Sequence, residues 1–232
     1  METIRLNNNL ECPVVGIGTF MLSPADAENS VREALKMGYR LIDTANAYVN
    51  ERAVGRGMKE SNVNREEIFL STKLWPSEYE NPNAVDETLE RLGVEYVDLL
   101  YIHQPAGNWL AGYRQLEKAY REGKAKAIGI SNFEGKYIAE LETQWEIAPQ
   151  FIQVEAHPYF TQTELRKTLD KYGIRLMSWY PLGHGDKSLI NEPVFAELGK
   201  KYLKTPAKVI LRWHIQMGFV VIPGSKNVDH IR

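Results

Sequence analysis

Three ionisable side chains stand at even spacing in the first half of the chain. Asp43, Lys73 and His103 are separated by steps of 30 residues (73 minus 43, 103 minus 73), and Tyr48 follows shortly after the first. Together these four residue types can deliver a proton to an oxygen. A tyrosine alone is a reluctant donor at neutral pH, because its pKa is near ~10. A neighbouring lysine cation stabilises the phenolate and lowers that value. An aspartate keeps the lysine charged and oriented, and a histidine can hydrogen-bond the substrate oxygen. The set suits a carbonyl oxygen that first gains negative charge and then a proton. Hydride addition to a carbonyl is such a reaction, and the hydride must come from a cofactor.

A step of 30 residues is the length of one strand-plus-helix unit, so the spacing asks what elements hold these residues. Short apolar runs rich in β-branched residues recur at Val14–Phe20, Tyr39–Thr44, Ile68–Leu74, Val97–His103, Ala127–Asn132, Phe151–His157, Ile174–Tyr180 and Phe219–Pro223. Segments of helical periodicity lie between them. Continuous apolar strands alternating with helices imply a parallel sheet covered by helices. Eight such units predict a (β/α)8 TIM barrel, a single domain over residues 1–232, with Thr3 to Cys12 as an N-terminal β-hairpin plug turning at Asn7-Asn8-Asn9. A doubly wound open sheet is the competing architecture, disfavoured because no GxGxxG opens the first helix. In a barrel the catalytic groups gather at the C-terminal ends of the strands. Asp43, Lys73 and His103 fall in the last two residues of three consecutive runs, with Tyr48 in the loop beside them.

The helices carry their own punctuation. Ser23-Pro24 with Asp26 reads as an N-cap, a first-turn proline and a capping-box acid. Thr161 and Glu164 read as the same signature before Leu165, with Gly173 as the C-terminal glycine, and Thr205-Pro206 opens another helix that runs to Gly218.

Composition excludes several classes. Hydrophobic residues are 44% and charged residues 25%, and the net charge is −2 with the basic residues scattered, so no nucleic-acid face or membrane-surface helix stands out. No apolar run reaches the length of a membrane span, and METIRLNNNL lacks a signal-peptide core. The single Cys12 permits no internal disulfide and no thiolate metal site, which fits a reducing, cytoplasmic setting. His103 and His157 find no third ligand at metal-binding spacing, so no metal is expected. His157, in HPY, reads as a structural turn residue, and His184 and His214 receive no role. Trp145, Trp179 and Trp213 read as packing residues.

The segments GYRLIDTANAYVNERAVGRGMK (38–59), STKLWP (71–76), DLLYIHQP (98–105), GKAKAIGISNF (123–133), QVEAHPYF (153–160), SWYPLG (178–183) and IPGSKN (222–227) resemble the aldo-keto reductase family in order and spacing, in particular its bacterial diketogluconate and methylglyoxal reductase-like members. The resemblance covers nearly the whole chain. It implies NADPH-dependent reduction of a small aldehyde or ketone, with Asp43, Tyr48, Lys73 and His103 as the catalytic tetrad. It implies Ser131, Asn132 and Gln153 on the nicotinamide carboxamide and Tyr180 stacked on the ring. It also implies the backbone around Leu182 on the pyrophosphate, and Ser225, Lys226 and Asn227 on the ribose phosphate. Phe20, Met21, Trp75 and Trp109 would line the substrate mouth.

Two departures qualify what the resemblance implies. Many members have a lysine before the last motif's serine and an arginine five residues after it; here those positions are Gly224 and His230, and the cation falls at Lys226. The common HWP is HQP, so Gln104 replaces an indole and leaves the pocket more open or more polar.

Each site residue also has a plainer reading: Asp43 as a helix cap, Lys73 as a surface residue, His103 as a loop histidine. Together at adjacent strand ends they favour catalysis. The competing functions are a cofactor-binding regulatory subunit on the same barrel without turnover, and a phosphate-handling isomerase or aldolase, which lacks its glutamate or Schiff-base lysine. The expected partner is a small carbonyl substrate, and the expected state is a monomer or weak oligomer. Gly224 to Arg232 can form only the opening of an eighth helix, starting near Val228. The expectation is therefore that the last helix lies outside these residues, or that another chain covers strands 8 and 1.

Overall fold

The computed structural model describes residues 2–183 and 187–232; His184 lies outside the described residues. A hairpin of β1 (Thr3–Arg5) and β2 (Glu11–Pro13) precedes the eight parallel strands β3 (Ile17–Gly18), β4 (Leu41–Asp43), β5 (Phe69–Leu74), β6 (Leu99–Ile102), β7 (Ile128–Ser131), β8 (Phe151–Glu155), β9 (Arg175–Trp179) and β10 (Val220–Val221). Each strand pairs in parallel with the next in chain order. The ring closes where β10 meets the residues before β3. Gly16 N–H donates to Val221 O at 2.9 Å, Val221 N–H to Val14 O at 3.0 Å and Gly18 N–H to Pro223 O at 3.1 Å. Gly18 suits this seam because a Cβ there would lie 2.8 Å from the Ile222 carbonyl oxygen.

Helices cover the outside: α1 (Pro24–Lys36), α2 (Glu51–Glu60), α3 (Ala84–Leu92), α4 (Trp109–Arg121), α5 (Lys136–Glu142), α6 (Thr163–Asp170), α7 (Lys187–Ile190), α8 (Pro193–Tyr202), α9 (Pro206–Gln216) and α10 (Val228–Ile231). Helix α10 starts at the expected Val228 and docks through Ile231, whose carbonyl accepts from Tyr39 Oη at 3.0 Å. The expected caps form at Ser23, which accepts from the Asp26 amide, and at Thr205, which accepts from the Lys208 amide. The Thr161 cap does not form. Gln162, in the left-handed conformation, precedes α6, and the Thr161 hydroxyl bonds the Thr163 hydroxyl instead. No described helix is long and apolar enough to cross a membrane.

Strand residues alternate between two cores, as the two-residue period of a strand requires. Leu41, Phe69, Leu99, Tyr101, Phe151, Met177 and Val220 fill the lumen, and the hairpin's Leu6 and Cys12 join them, so the hairpin plugs that end. Ile42, Leu70, Leu74, Leu100, Ile102, Ile152 and Val154 face the helices. Counting by twos from the luminal Leu41, Phe69, Leu99 and Phe151 brings Asp43, Lys73, His103 and Gln153 to the inside at the opposite end. The alternation that packs the barrel thus aims its polar residues into one site.

Candidate active site

Lys73 Nζ lies 2.6 Å from Asp43 Oδ2 and donates to the Thr44 carbonyl at 2.8 Å. Both side chains are buried. Ser71 Oγ donates to Asp43 Oδ1 at 2.7 Å and Gln153 Nε2 donates to the same oxygen at 3.1 Å, so the carboxylate on β4 is held from two other strands, β5 and β8. These contacts exclude the helix-cap role for Asp43; Asn50 stands at the N-cap of α2. Burial pushes the Lys73 pKa down, but Asp43 and Tyr48 outweigh it and hold the amine above its ordinary value, charged.

The Lys73 ammonium is 5.1 Å from the centre of the Tyr48 ring. The phenol feels opposed forces. Burial pushes its pKa up, Lys73 pulls it down, and the balance lies above the ordinary value. The sequence predicts a lowered value; burial outweighs the lysine here. Tyr48 meets His103 edge-on, with ring centres 5.8 Å apart, and Trp75 packs on His103 at 4.8 Å. Burial, with Lys73 nearby, drives the His103 pKa down to about 3, so the imidazole is neutral at pH 7. Its buried Nδ1 has no hydrogen-bond partner among the described residues.

The loop carrying Tyr48 is clamped at three points that sequence reasoning missed. Asn46 Oδ1 accepts from the Trp75 amide at 2.9 Å. Asn50 donates to the carbonyls of Thr19 and Leu22 and accepts from Thr44 Oγ1. Glu51 accepts from Thr72 Oγ1 and from Arg91 Nε, each at 2.6 Å. Between these clamps Val49 sits at φ 56°, a conformation β-branched residues rarely adopt. Met21 (60°), Asn132 (62°) and Tyr180 (47°), around the cavity described next, are also left-handed. Strain of this kind gathers at sites where the surroundings over-determine the backbone.

A cavity of about 900 Å³ opens above the tetrad. Asp43, Tyr48 and His103 reach its wall, as do the predicted Phe20, Met21, Ser131, Asn132, Gln153, Tyr180 and Leu182. Ser225, Lys226 and Asn227 also line it. Trp109 does not. It opens α4 and packs on Phe133, ring centres 5.4 Å apart, against the outer core. Trp179, read from sequence as packing, lines the cavity, and its indole N–H donates to Asn132 Oδ1 at 3.0 Å. Gln104, Asp26 and His230 line it as well. His157 closes a tight turn with Phe160 around Pro158 and bonds Glu155 Oε1 at 3.0 Å. Among the described residues no group of three His, Cys, Asp or Glu is placed to hold a metal ion.

The family model described as "Aldo/keto reductase family" matches residues 14–232. The chain is 44% identical over 229 residues to a glyoxal reductase of Bacillus subtilis, covering 97% of this chain and 82% of that protein. It is 42% identical over 235 residues to a 9,11-endoperoxide prostaglandin H2 reductase of Trypanosoma cruzi, covering 99% and 83%. Among solved structures, a Bombyx mori aldo-keto reductase in complex with NADP superposes with a TM-score of 0.93 at 31% identity, covering 99% of this chain and 85% of that one.

Proposed function

The chain belongs to the aldo/keto reductase family, whose NAD(P)H-dependent oxidoreductases reduce aldehydes and ketones, and we propose that it uses NADPH to reduce a small carbonyl compound with Tyr48 as the proton donor. The observation that carries the reading is the buried Lys73–Asp43 pair beneath the Tyr48 ring. A buried ion pair adds little net stability, so a catalytic use explains its presence better than folding does.

The cavity suits a nicotinamide dinucleotide. Its lining includes Asp43, Tyr48 and His103 as well as Ser225, Lys226 and Asn227, which supply a cation and polar groups for a phosphate. Ser131 and Gln153 line the same cavity, and in this reading they hold the carboxamide. Asn132 spends one hydrogen on the His103 carbonyl and one lone pair on Trp179, which leaves one of each. Tyr180, with Phe20 edge-on at 6.0 Å, offers its ring as a stacking face. NADPH, when bound, supplies the hydride.

The remaining chemistry is the protein's. The substrate oxygen sits between Tyr48 and His103. The neutral His103 donates an N–H to it as negative charge builds. The Tyr48 O–H bond breaks, the proton passes to that oxygen, and the Lys73 cation stabilises the phenolate left behind. A phenol held above its ordinary pKa keeps its proton until the substrate oxygen becomes basic, and the lysine makes its release feasible then. The similarity to a glyoxal reductase makes small dicarbonyls the first substrates to try. Loss of NADPH absorbance is followed against a panel of glyoxal, methylglyoxal and simple aldehydes. Cofactor binding without turnover on any of them would replace this reading with a non-catalytic, cofactor-sensing one.

A further inference from the structure

His214 lies on α9, on the outer side of β9, and its side chain is completely buried. Nothing in the tetrad touches it. Its Nε2 is 2.9 Å from the Pro181 carbonyl oxygen and its Nδ1 is 3.0 Å from Ser178 Oγ. A carbonyl can only accept, so Nε2 carries the hydrogen. Burial drives the ring's pKa down to about 4, so it is neutral at pH 7. Its Nδ1 therefore has a lone pair, and Ser178 donates to it. One tautomer satisfies every atom of the chain Ser178–His214–Pro181.

Pro181 belongs to the loop after β9, and with Leu182 and Gly183 it lines the cavity. A trans peptide is planar, so its C=O and the following N–H point in opposite directions. A Pro181 carbonyl tied back to His214 turns the Leu182 N–H the other way, off the helix layer and toward the cavity. The next residue closes the turn, with Gly183 N–H donating to Tyr180 O at 2.9 Å. The Leu182 N–H itself has no acceptor among the described residues. An unpaired backbone donor at a cavity wall needs a partner, and an anionic oxygen is the strongest acceptor for one.

We propose that His214 is a positioning residue for the cofactor, fixing the Pro181 peptide so that the Leu182 amide meets a pyrophosphate oxygen. The inference rests on the nucleotide reading of the cavity and assigns part of that reading to a helix residue outside it. Proline strengthens the device. Pro181 has no N–H to compete for the turn's acceptors, and its φ is fixed by the ring, so the remaining freedom of this peptide is the rotation that His214 blocks.

The test compares wild type with His214→Leu, which keeps the bulk and removes both hydrogen bonds, and His214→Gln, whose amide can donate to Pro181 and accept from Ser178. Fluorescence quenching measures the dissociation constants of NADPH and of adenosine 2′-monophosphate, which has no pyrophosphate. The Leu variant is expected to bind NADPH about tenfold more weakly, the scale of one hydrogen bond to a charged acceptor. Adenosine 2′-monophosphate should bind unchanged, and the Gln variant should recover to within about threefold of wild type. Should the Leu variant fail to fold, Ser178→Ala frees the ring's Nδ1 and is expected to weaken NADPH about threefold, again sparing adenosine 2′-monophosphate. NADPH binding in the Leu variant (or, in its place, Ser178→Ala) equal to wild type, equal losses with Leu and Gln, or parallel loss of both ligands would each overturn the assignment. Wild-type protein that bound no NADPH would overturn the nucleotide reading itself, and this inference with it.

Discussion

Gln153 Nε2 donates to Asp43 Oδ1 at 3.1 Å across the barrel lumen, joining β8 to β4 although the two residues are 110 apart in sequence. With Ser71 on the same oxygen and Lys73 on the other, the carboxylate has a single orientation. Lys73 inherits that orientation, and so does the field it exerts on Tyr48. The site is thus preorganised before any ligand arrives, the condition under which fixed charges are most effective on a developing oxyanion.

Replacing Tyr48 with Phe should lower turnover by about 10²- to 10⁴-fold, the usual contribution of a positioned general acid. The change removes one oxygen and keeps the ring contacts with Phe20 and His103. NADPH affinity should be nearly unchanged. Retention of more than a tenth of wild-type turnover would rule Tyr48 out as the donor.

Two histidines make the fold sensitive to acid. His103 is depressed to about 3 and His214 to about 4, against about 6.5 in an unfolded chain. Below pH 6.5 the unfolded state binds protons that the native state refuses, so stability falls as pH falls. The loss continues until the pH reaches the folded-state values. The slope is about 1.4 kcal/mol per pH unit for each histidine fully within that window. Urea unfolding between pH 7 and pH 5 should show the decline, and a His214→Gln variant should show a shallower one. Identical slopes in the two proteins would remove His214 from this account.

The cluster is legible in the sequence because Asp43, Lys73 and His103 recur at the barrel's own period and lie within one residue of their strands' C-terminal ends. The eight runs are legible because luminal and outer positions are both apolar. The clamps on the Tyr48 loop are not. Glu51 is completed by Thr72 and Arg91, which are 21 and 40 residues away on other elements, and no local pattern marks such a pairing. His214 is hidden for the same reason: its partners are on β9 and the loop after it, and a helix sequence does not say which neighbour a polar side chain will meet. Trp109 fails in the opposite direction. It follows a strand-end motif, as site residues do, but the first turn of α4 rotates it onto Phe133. Gln162 displaces Thr161 as the cap because the turn from His157 to Phe160 sets where the chain can enter α6.

Lys226 and Asp26 line the same cavity and carry opposite charges. A ribose 2′-phosphate there would be attracted by one and repelled by the other. Lys226→Met should weaken NADPH by about tenfold and leave NADH unchanged, the expected size for one charge-assisted contact. Asp26→Asn retains an oxygen for the Ser23 hydroxyl and should tighten NADPH by a few-fold. Fluorescence titration with both cofactors decides this. Tighter binding of NADH than NADPH by wild type would overturn the NADPH assignment.

Glu51 and Arg91 should respond unequally to removal. Glu51 has a side chain only 1% exposed, whereas Arg91 is 28% exposed. In Glu51→Gln the amide still accepts from Thr72, and the arginine turns to water, so the cost should be about 1–2 kcal/mol. In Arg91→Met the buried carboxylate loses its cation and cannot reach solvent, so the cost at pH 7 should be larger, about 3–5 kcal/mol. Burial already pushes the Glu51 carboxyl above its ordinary pKa, and losing Arg91 raises it further. The Arg91 variant can then escape part of its penalty by protonating Glu51, which the wild type has less need to do. Its deficit relative to wild type should therefore shrink as the pH is lowered from 7 to 5. Urea unfolding of the three proteins at both pH values measures this. A Glu51→Gln variant less stable than Arg91→Met at pH 7 would show that Thr72, rather than the ion pair, holds this clamp.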